Sequence, residues 1–373
     1  MKRREAETSL CRGVSPIIAT LILAAIVVSA SLVFYVQTSG MLSRLFGKIE
    51  VQIVSLDLYK FEDKVLLMVS VRNTGNKPVI GIIVSGVDDK GRRFSLALPP
   101  ADPGSTVNNS LIIPLGISNL ALDASGNNLR GTIYGDPEWI SDAAYGVVMR
   151  FDGANDYIFM EKSSILNEAA LRYTVQVWVK PEVDNDYWTG VVGKRGRNYN
   201  FWLGRSNSPS GGFVHHRFHT TASWNDYCPN AWTIPMNEWT NVALWNDGDA
   251  ARTLFNGEVK TGRDYPATIL QDDSPLNIGR NLDTTSSTYT GNCYRGIIRQ
   301  VLIYSPQITL EEMKFNSEHP EMPVTRNLVF WLPLNEGSND PYTFTSGNSY
   351  PITLTAYSLD GDFYTRTVSV ICS

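Results

Sequence analysis

The hydrophobic pattern changes character once along the chain, and sharply. From Val14 to Val36 it is apolar or uncharged at every position. As a helix at ~1.5 Å per residue this run reaches roughly 34 Å, enough to cross a bilayer core of ~30 Å. Lys2, Arg3, Arg4 and Arg12 precede it, a basic flank that predicts a cytoplasmic N-terminus and an exported remainder. The helix is expected to continue through Met41–Phe46 and to end near Gly47, a suitable C-terminal cap.

Beyond Gly47 the period falls to two. Ile49, Val51 and Ile53 alternate, Val65–Val71 reads as a buried strand, and Asn73-Thr74-Gly75-Asn76 reads as a turn. Val79–Val84, Phe94–Leu98, Leu111–Pro114 and Gly131–Tyr134 follow as further strands, with turns at Asp88–Gly91 and Pro99–Gly104. These short strands predict a small immunoglobulin-like β-sandwich over 48–138. Asp136–Ala144 reads as a joint. A larger strand series follows over 145–345, and a terminal hairpin around Leu359-Asp360-Gly361-Asp362 is expected over 346–373. In Tyr173–Pro181 the alternation puts Tyr173, Val175, Val177 and Val179 on one face. Asn256-Gly257 is a hairpin signal. Thr309 and Glu312 form a capping box for a short helix to Asn316.

Composition narrows the class. Of 373 residues only 18% are charged, while Gly and the aromatics are plentiful. That is the make-up of turn-rich extracellular β-modules. The net charge of −5 and the lack of a basic stripe exclude nucleic acid as a partner class. Asn108-Asn109-Ser110 is a glycosylation sequon, consistent with export. Cys11 stands before the apolar run; Cys228, Cys293 and Cys372 show no zinc-type spacing. In an exported chain Cys228 and Cys293 are expected to form a disulfide, because both stand in loops of one module, with Cys372 left over; three unpaired thiols are the alternative.

Two resemblances sharpen the expectation. The apolar run is too long for a secretory signal-peptide core and lacks a small-x-small cleavage site. Its opening, Arg12-Gly13-Val14-Ser15-Pro16-Ile17-Ile18-Ala19-Thr20-Leu21-Ile22-Leu23, resembles the class III signal peptide of archaeal type IV pilin-like proteins. The resemblance implies a leader at 1–13, cleavage between Gly13 and Val14 by a prepilin peptidase, and a retained hydrophobic helix at 14–47. That helix would anchor the chain in the membrane or pack in a filament. Leu66–Gly75 looks like the membrane-proximal sandwich of the same proteins. Further on, Phe151-Asp152-Gly153-Ala154-Asn155-Asp156-Tyr157-Ile158, Val177-Trp178-Val179-Lys180-Pro181, Trp239-Thr240-Asn241-Val242-Ala243, Phe255-Asn256-Gly257 and Gly296–Tyr304 stand in order. This order resembles the laminin-G-like, concanavalin A-like jelly roll. Asn327–Ser338 is another recurring piece of such modules. The fold expectation is therefore mostly β: an N-terminal helix, a small sandwich, then a jelly roll.

The candidate chemistry is that of binding. Tyr187, Trp188, Trp224, Tyr227 and Trp232 lie in polar loops, where aromatic faces can stack on sugars beside amide and carboxylate groups. Packing of those loops onto the sandwich edge is the competing account. In many concanavalin-like sandwiches carboxylates near the first turn hold a structural calcium; Asp152 and Asp156 fit that position by resemblance, whereas the last-strand position often acidic in such modules is Arg299 here. Glu182-Val183-Asp184-Asn185-Asp186 imitates the carboxylate series of jelly-roll glycosidases, but it has Asp at its last place and follows Lys180-Pro181, where a loop is expected. His215 and His219 would point the same way from a strand but lie ~13 Å apart, too far to share a metal. His215, His216 and His219 read as the polar face of an exposed strand, with a sugar- or anion-contacting face as the alternative.

The expected role is a cell-surface, pilin-like adhesin that presents a glycan- or protein-binding module at the membrane's extracellular face or on a filament. A membrane-tethered polysaccharide hydrolase and a structural envelope protein are the alternatives.

Overall fold

The computed structural model describes residues 28–29, 47–168, 171–183, 188–195, 200–204, 211–223, 226–228, 232–265, 267–281 and 292–373. Val28 and Ser29 are helical and exposed. The leader, the Gly13–Val14 bond and the rest of the apolar run lie outside the described residues. Among the described residues no helix is long and apolar enough to cross a membrane. Residues 49–373 form one compact unit.

Two β-sandwiches share this unit, and their chain order is nested. The small sandwich faces a three-stranded sheet (Val51–Lys60, Lys64–Asn73, Thr106–Pro114) against a four-stranded one in the order Phe363–Ile371, Ser349–Tyr357, Gly81–Val87, Arg93–Leu98. In Lys64–Asn73, Val65, Leu67, Val69 and Val71 are buried on one face and Met68 and Arg72 are exposed on the other, as the two-residue period requires. The expected boundaries are corrected here. The segment 346–373 is no appendage: Thr353–Tyr357 pairs antiparallel with Gly81–Ser85 and completes the small sandwich. The strand Arg130–Tyr134, placed by the sequence in the small sandwich, pairs instead with Tyr157–Met160. Asp136–Ala144 is not a joint, because Glu138–Asp142 is a strand paired with Gly146–Asp152. Alternation tells which face of a strand is buried but not which strand lies beside it, so nesting is invisible to it.

The jelly roll is inserted between Pro114 and Ser349. One sheet has the order Asp226–Tyr227, Phe213–Phe218, Asn200–Gly204, Thr189–Lys194, Leu276–Ile278, Tyr157–Met160, Arg130–Tyr134, Leu120–Leu122. The other has the order Glu258–Asp264, Ala250–Phe255, Thr240–Asn246, Tyr173–Pro181, Arg295–Tyr304, Gly146–Asp152, Glu138–Asp142, with Leu328–Leu332 also on Arg295–Tyr304. Tyr173, Val175, Val177 and Val179 all enter the core between the sheets, as their spacing predicts. Asn256 (φ 49) and Gly257 (φ 81) make the tight turn of the expected hairpin.

The outward face of the second sheet is covered. Ala243, Leu254, Leu302, Tyr304 and Trp331 from that face form one cluster with Ile83, Ala97 and Tyr357 of the small sandwich and with Met313 and Phe315 of the helix Leu310–Glu318. The helix begins at the predicted capping box of Thr309 and Glu312. Polar groups of this seam bond to one another: Asn316 Nδ2 donates to Gln176 Oε1 and to the Tyr304 hydroxyl at 2.9 Å each, and Gln176 Nε2 donates to Asn241 Oδ1 at 2.8 Å. At the passage into the jelly roll, buried Asp123 accepts from the backbone N–H groups of Ser125 and Trp331 at 2.9 and 3.0 Å and from the Ser125 hydroxyl at 2.8 Å. Burial outweighs these donors and lifts its carboxyl pKa to about 6.

Candidate ligand-binding face

One outward face is covered by the small sandwich, and the outward face of the other sheet carries a group of aromatic residues. Alternation settles which side chains reach it. In Phe213–Phe218, Val214, His216 and Phe218 point into the core, so Phe213, His215 and Arg217 point out. In Asn200–Gly204, Phe201 and Leu203 point in and Trp202 points out, directly opposite His215 in register. Tyr227 is paired with Arg217.

These outward residues make a ladder of rings. Trp202 and His215 stack at 6.1 Å and 20°, and His215 and Tyr227 at 5.4 Å and 27°. Trp188 leans across them, 4.5 Å from His215 and edge-on to Phe213 at 5.6 Å. The Arg217 guanidinium lies 5.2 Å from the Tyr227 ring and 5.7 Å from the Trp188 ring, within cation–π range. Trp188 is held in the left-handed region at φ 58, a conformation that costs a bulky residue roughly 1–2 kcal/mol. Its carbonyl accepts from Asn281 Nδ2 at 2.8 Å. Trp202 and His215 are 3% and 2% exposed and form the floor of the group, so the rings that can meet sugar C–H groups are half-buried Trp188 and exposed Tyr227.

Of the five expected aromatic residues, Trp188 and Tyr227 belong to this group, and Tyr187 and Trp224 lie outside the described residues. Trp232 is 74% exposed and carries no described ring contact. The sequence reading missed Trp202 and Phe213 and set His215 on an exposed polar face. In fact His215 and His216 are both buried, one on each side of the sheet. The signal lay in the alternation of Phe213-Val214-His215-His216-Arg217, which becomes readable once the core side is known.

His216 Nε2 shares a 2.8 Å hydrogen bond with the Tyr173 hydroxyl, and its Nδ1 has no partner among the described residues. Burial, helped by neighbouring His215, depresses its pKa to about 3. An unfolded histidine titrates near 6.5. Between these values the unfolded chain binds a proton that the native one refuses, so this contribution is present above pH 6.5 and falls as pH drops toward 3. Asp123 works the other way over part of that range, because its folded pKa is raised. A difference measurement separates them. In urea melts across pH 4–7, the stability gap between wild type and His216→Gln is expected to shift against the wild type by about 1.4 kcal/mol per unit of acidification; a gap independent of pH contradicts the assignment.

A second polar site lies at the edge of the covered sheet. Asp136, Glu138, Arg150, Asp152, Asp156, Glu182 and Arg295 line a cleft of about 200 Å³. Carboxylate oxygens of Asp136, Asp152 and Asp156 lie within 4.8 Å of one another. The sequence reading named Asp152 and Asp156 and missed Asp136, which a β-strand and its loop carry in from twenty positions upstream. Asp156 is buried and accepts the backbone N–H groups of Asp136 and Asp152, each at 2.8 Å. Burial first, and then the Asp152 carboxylate, raise its pKa. Three convergent hard oxygens fit a divalent cation such as calcium, although Arg150 and Arg295 line the same cleft. Arg299 turns away from this cleft and donates to Pro320 O at 3.2 Å. Glu182 is held by Arg150 Nε at 3.0 Å, and Asp184 and Asp186 lie outside the described residues.

No disulfide joins Cys228 to Cys293, so of the two expectations the unpaired one holds for this pair. Cys228 points into the jelly-roll core, where burial lifts its pKa to about 11, whereas Cys293 sits in a backbone seam with Gly190 and Arg280. Placing both cysteines in loops did not fix the direction of either side chain.

Residues 152–314 match the Laminin_G_3 family, described as the concanavalin A-like lectin/glucanases superfamily. The jelly roll is a laminin-G-like, concanavalin A-like domain. No curated protein matches the chain. Among solved structures, domain 4 of AbnA, an extracellular arabinanase of Geobacillus stearothermophilus, in complex with arabinotriose, is similar at 19% identity and a TM-score of 0.38, over 53% of this chain and 98% of that one. A botulinum neurotoxin type C structure, described by the dependence of cell entry on two ganglioside molecules, is similar at 13% identity and a TM-score of 0.41, over 55% of this chain. This chain covers only 50% of that toxin chain. The binding domain of botulinum neurotoxin DC in complex with SialylT is similar at 11% identity and a TM-score of 0.41, over 67% of this chain and 72% of that one.

Proposed function

We propose that the protein is a non-catalytic glycan-binding protein, displayed outside the cell, whose laminin-G-like domain holds a saccharide against Trp188 and Tyr227, with the buried rings of Trp202 and His215 supporting them from beneath. The observation that carries this reading is Trp188, a bulky residue kept at positive φ on the outward face of a sheet and facing other rings and a guanidinium. A packing role would be served by an unstrained residue; a preorganised ligand platform justifies the strain. The uncharged run Val14–Val36 behind Arg12-Gly13 supports an anchored or filament-borne display of pilin type. Titration of the full chain against a glycan array is expected to show retention of a defined glycan set with no release of reducing ends. Retention of none contradicts the reading, and chain cleavage replaces it with a hydrolase.

Calcium is the proposed structural ion of the Asp136–Asp152–Asp156 cleft. A bound ion would neutralise the acidic cluster beside Arg295 and stiffen the first turn of the jelly roll. At a calcium concentration about 100 times its dissociation constant, the domain gains about 2.7 kcal/mol. Calcium is therefore expected to raise the melting temperature above that in EDTA, and Asp136→Asn, an exposed substitution, is expected to abolish the difference. Equal melting with and without the ion removes calcium from the account.

A further inference from the structure

The ring group does not end at Trp202. Further along the same outward face, Tyr157 and Tyr134 stand opposite one another in register and stack at 4.7 Å and 11°. The Arg280 guanidinium covers the other side of Tyr157, 3.4 Å from its centroid, and its Nε donates to Asn277 Oδ1 at 3.1 Å. Tyr134 is 43% exposed. Trp202 and Tyr157 are separated by three strand spacings, about 14 Å, and Trp202 and Tyr134 by four, about 19 Å.

The two groups are joined by one backbone crossing. Gly190, opposite Trp202, has no side chain because the backbone of Arg280 and Asn281 passes directly over it. Arg280 thus reaches Tyr157, while the next residue, Asn281, holds the Trp188 carbonyl. Asn281 is 4% exposed, and its Oδ1 has no hydrogen-bond partner among the described residues. A buried amide oxygen left unsatisfied costs about 1–3 kcal/mol, and a ligand hydroxyl at this seam would relieve it. The outward positions of the strands between Tyr227 and Tyr134 carry aromatic, amide, hydroxyl, arginine and glycine residues and no Asp or Glu.

We infer that Tyr134, Tyr157 and Arg280 form a second sugar subsite, and that the ligand is a chain of several sugars laid across the strands rather than a single terminal sugar. This rests on the glycan-binding reading given above. Two platforms on one rigid sheet make the second contact intramolecular, so affinity rises with chain length until both are filled.

The test is a chain-length series, from monosaccharide to hexasaccharide, of the glycan backbone that the array selects, titrated into the full chain. Wild type is expected to gain about tenfold or more in affinity between short and long members. Tyr134→Ala is expected to flatten that rise and keep the affinity for the short members; Arg280→Ala, which removes a different part of the subsite, is expected to do the same. Unchanged melting temperatures identify folded variants. Affinity independent of chain length in wild type, or a full rise in both variants, overturns the second subsite and leaves the first intact. Failure of wild type to bind any member of any series removes the glycan reading itself, and the inference with it.

Discussion

Trp188→Gly is expected to weaken glycan binding by 100-fold or more while moving the melting temperature by only a few degrees. The loss follows from removing the ring that leans over His215 at 4.5 Å and faces Trp202 at 6.4 Å. Truncating an aromatic anchor at the centre of a binding site costs about 2–4 kcal/mol, and losing the central ring of a group also loosens its neighbours. The small stability change follows from two opposed terms. Glycine adopts φ 58 without strain, recovering roughly 1–2 kcal/mol, and this offsets the half-buried contacts that the indole gives up. A structural tryptophan would behave in the reverse way, with a large drop in melting temperature and binding impaired only through unfolding. Trp188→Ala, which keeps the strain and loses the ring, is expected to be less stable than the glycine variant and equally poor at binding.

Ending the chain after Thr345 is expected to unfold the small sandwich although residues 48–114 remain intact. The truncation removes Ser349–Tyr357 and Phe363–Ile371, two of the four strands of one sheet. Ile352, Leu354, Ala356 and Cys372 leave the core, exposing Ile82, Val84 and Leu96. A buried Ile or Leu side chain contributes about 1.5–3 kcal/mol, so the losses exceed what a small sandwich can tolerate. Tyr357 also leaves the seam with the jelly roll, where its hydroxyl donates to Pro323 O at 2.5 Å. Limited proteolysis should then cut within 49–114 at sites protected in the full chain. If that region stays protected, the closing role of the terminal hairpin is wrong.

The sequence carried local structure well and neighbourhood poorly. For Tyr173–Val179 the period of two told which side chains share a side, and Tyr173, Val175, Val177 and Val179 do enter the core, but it did not tell that Thr174, Gln176 and Trp178 on the other side are buried as well. The capping box at Thr309 and the Asn256-Gly257 turn were readable because each is fixed by residues within a few positions. The nested order was not, because Gly81 and Tyr357 are paired across the whole jelly roll and nothing local marks them as partners. The candidate site divides along the same line. Trp188 and Tyr227 stood out as aromatics among polar residues. Trp202, His215 and Arg217 looked like ordinary strand residues until pairing brought them to one outward face. Asp136 joined Asp152 and Asp156 by the same long-range route.

The most direct measurement is a crystal structure of the protein with the best glycan from the array. Sugar density is expected against Trp188 and Tyr227, extending toward Tyr157 for longer chains. Sugar bound in the acidic cleft of Asp136 and Asp156, or between the two sandwiches, with the ring group empty, would contradict it.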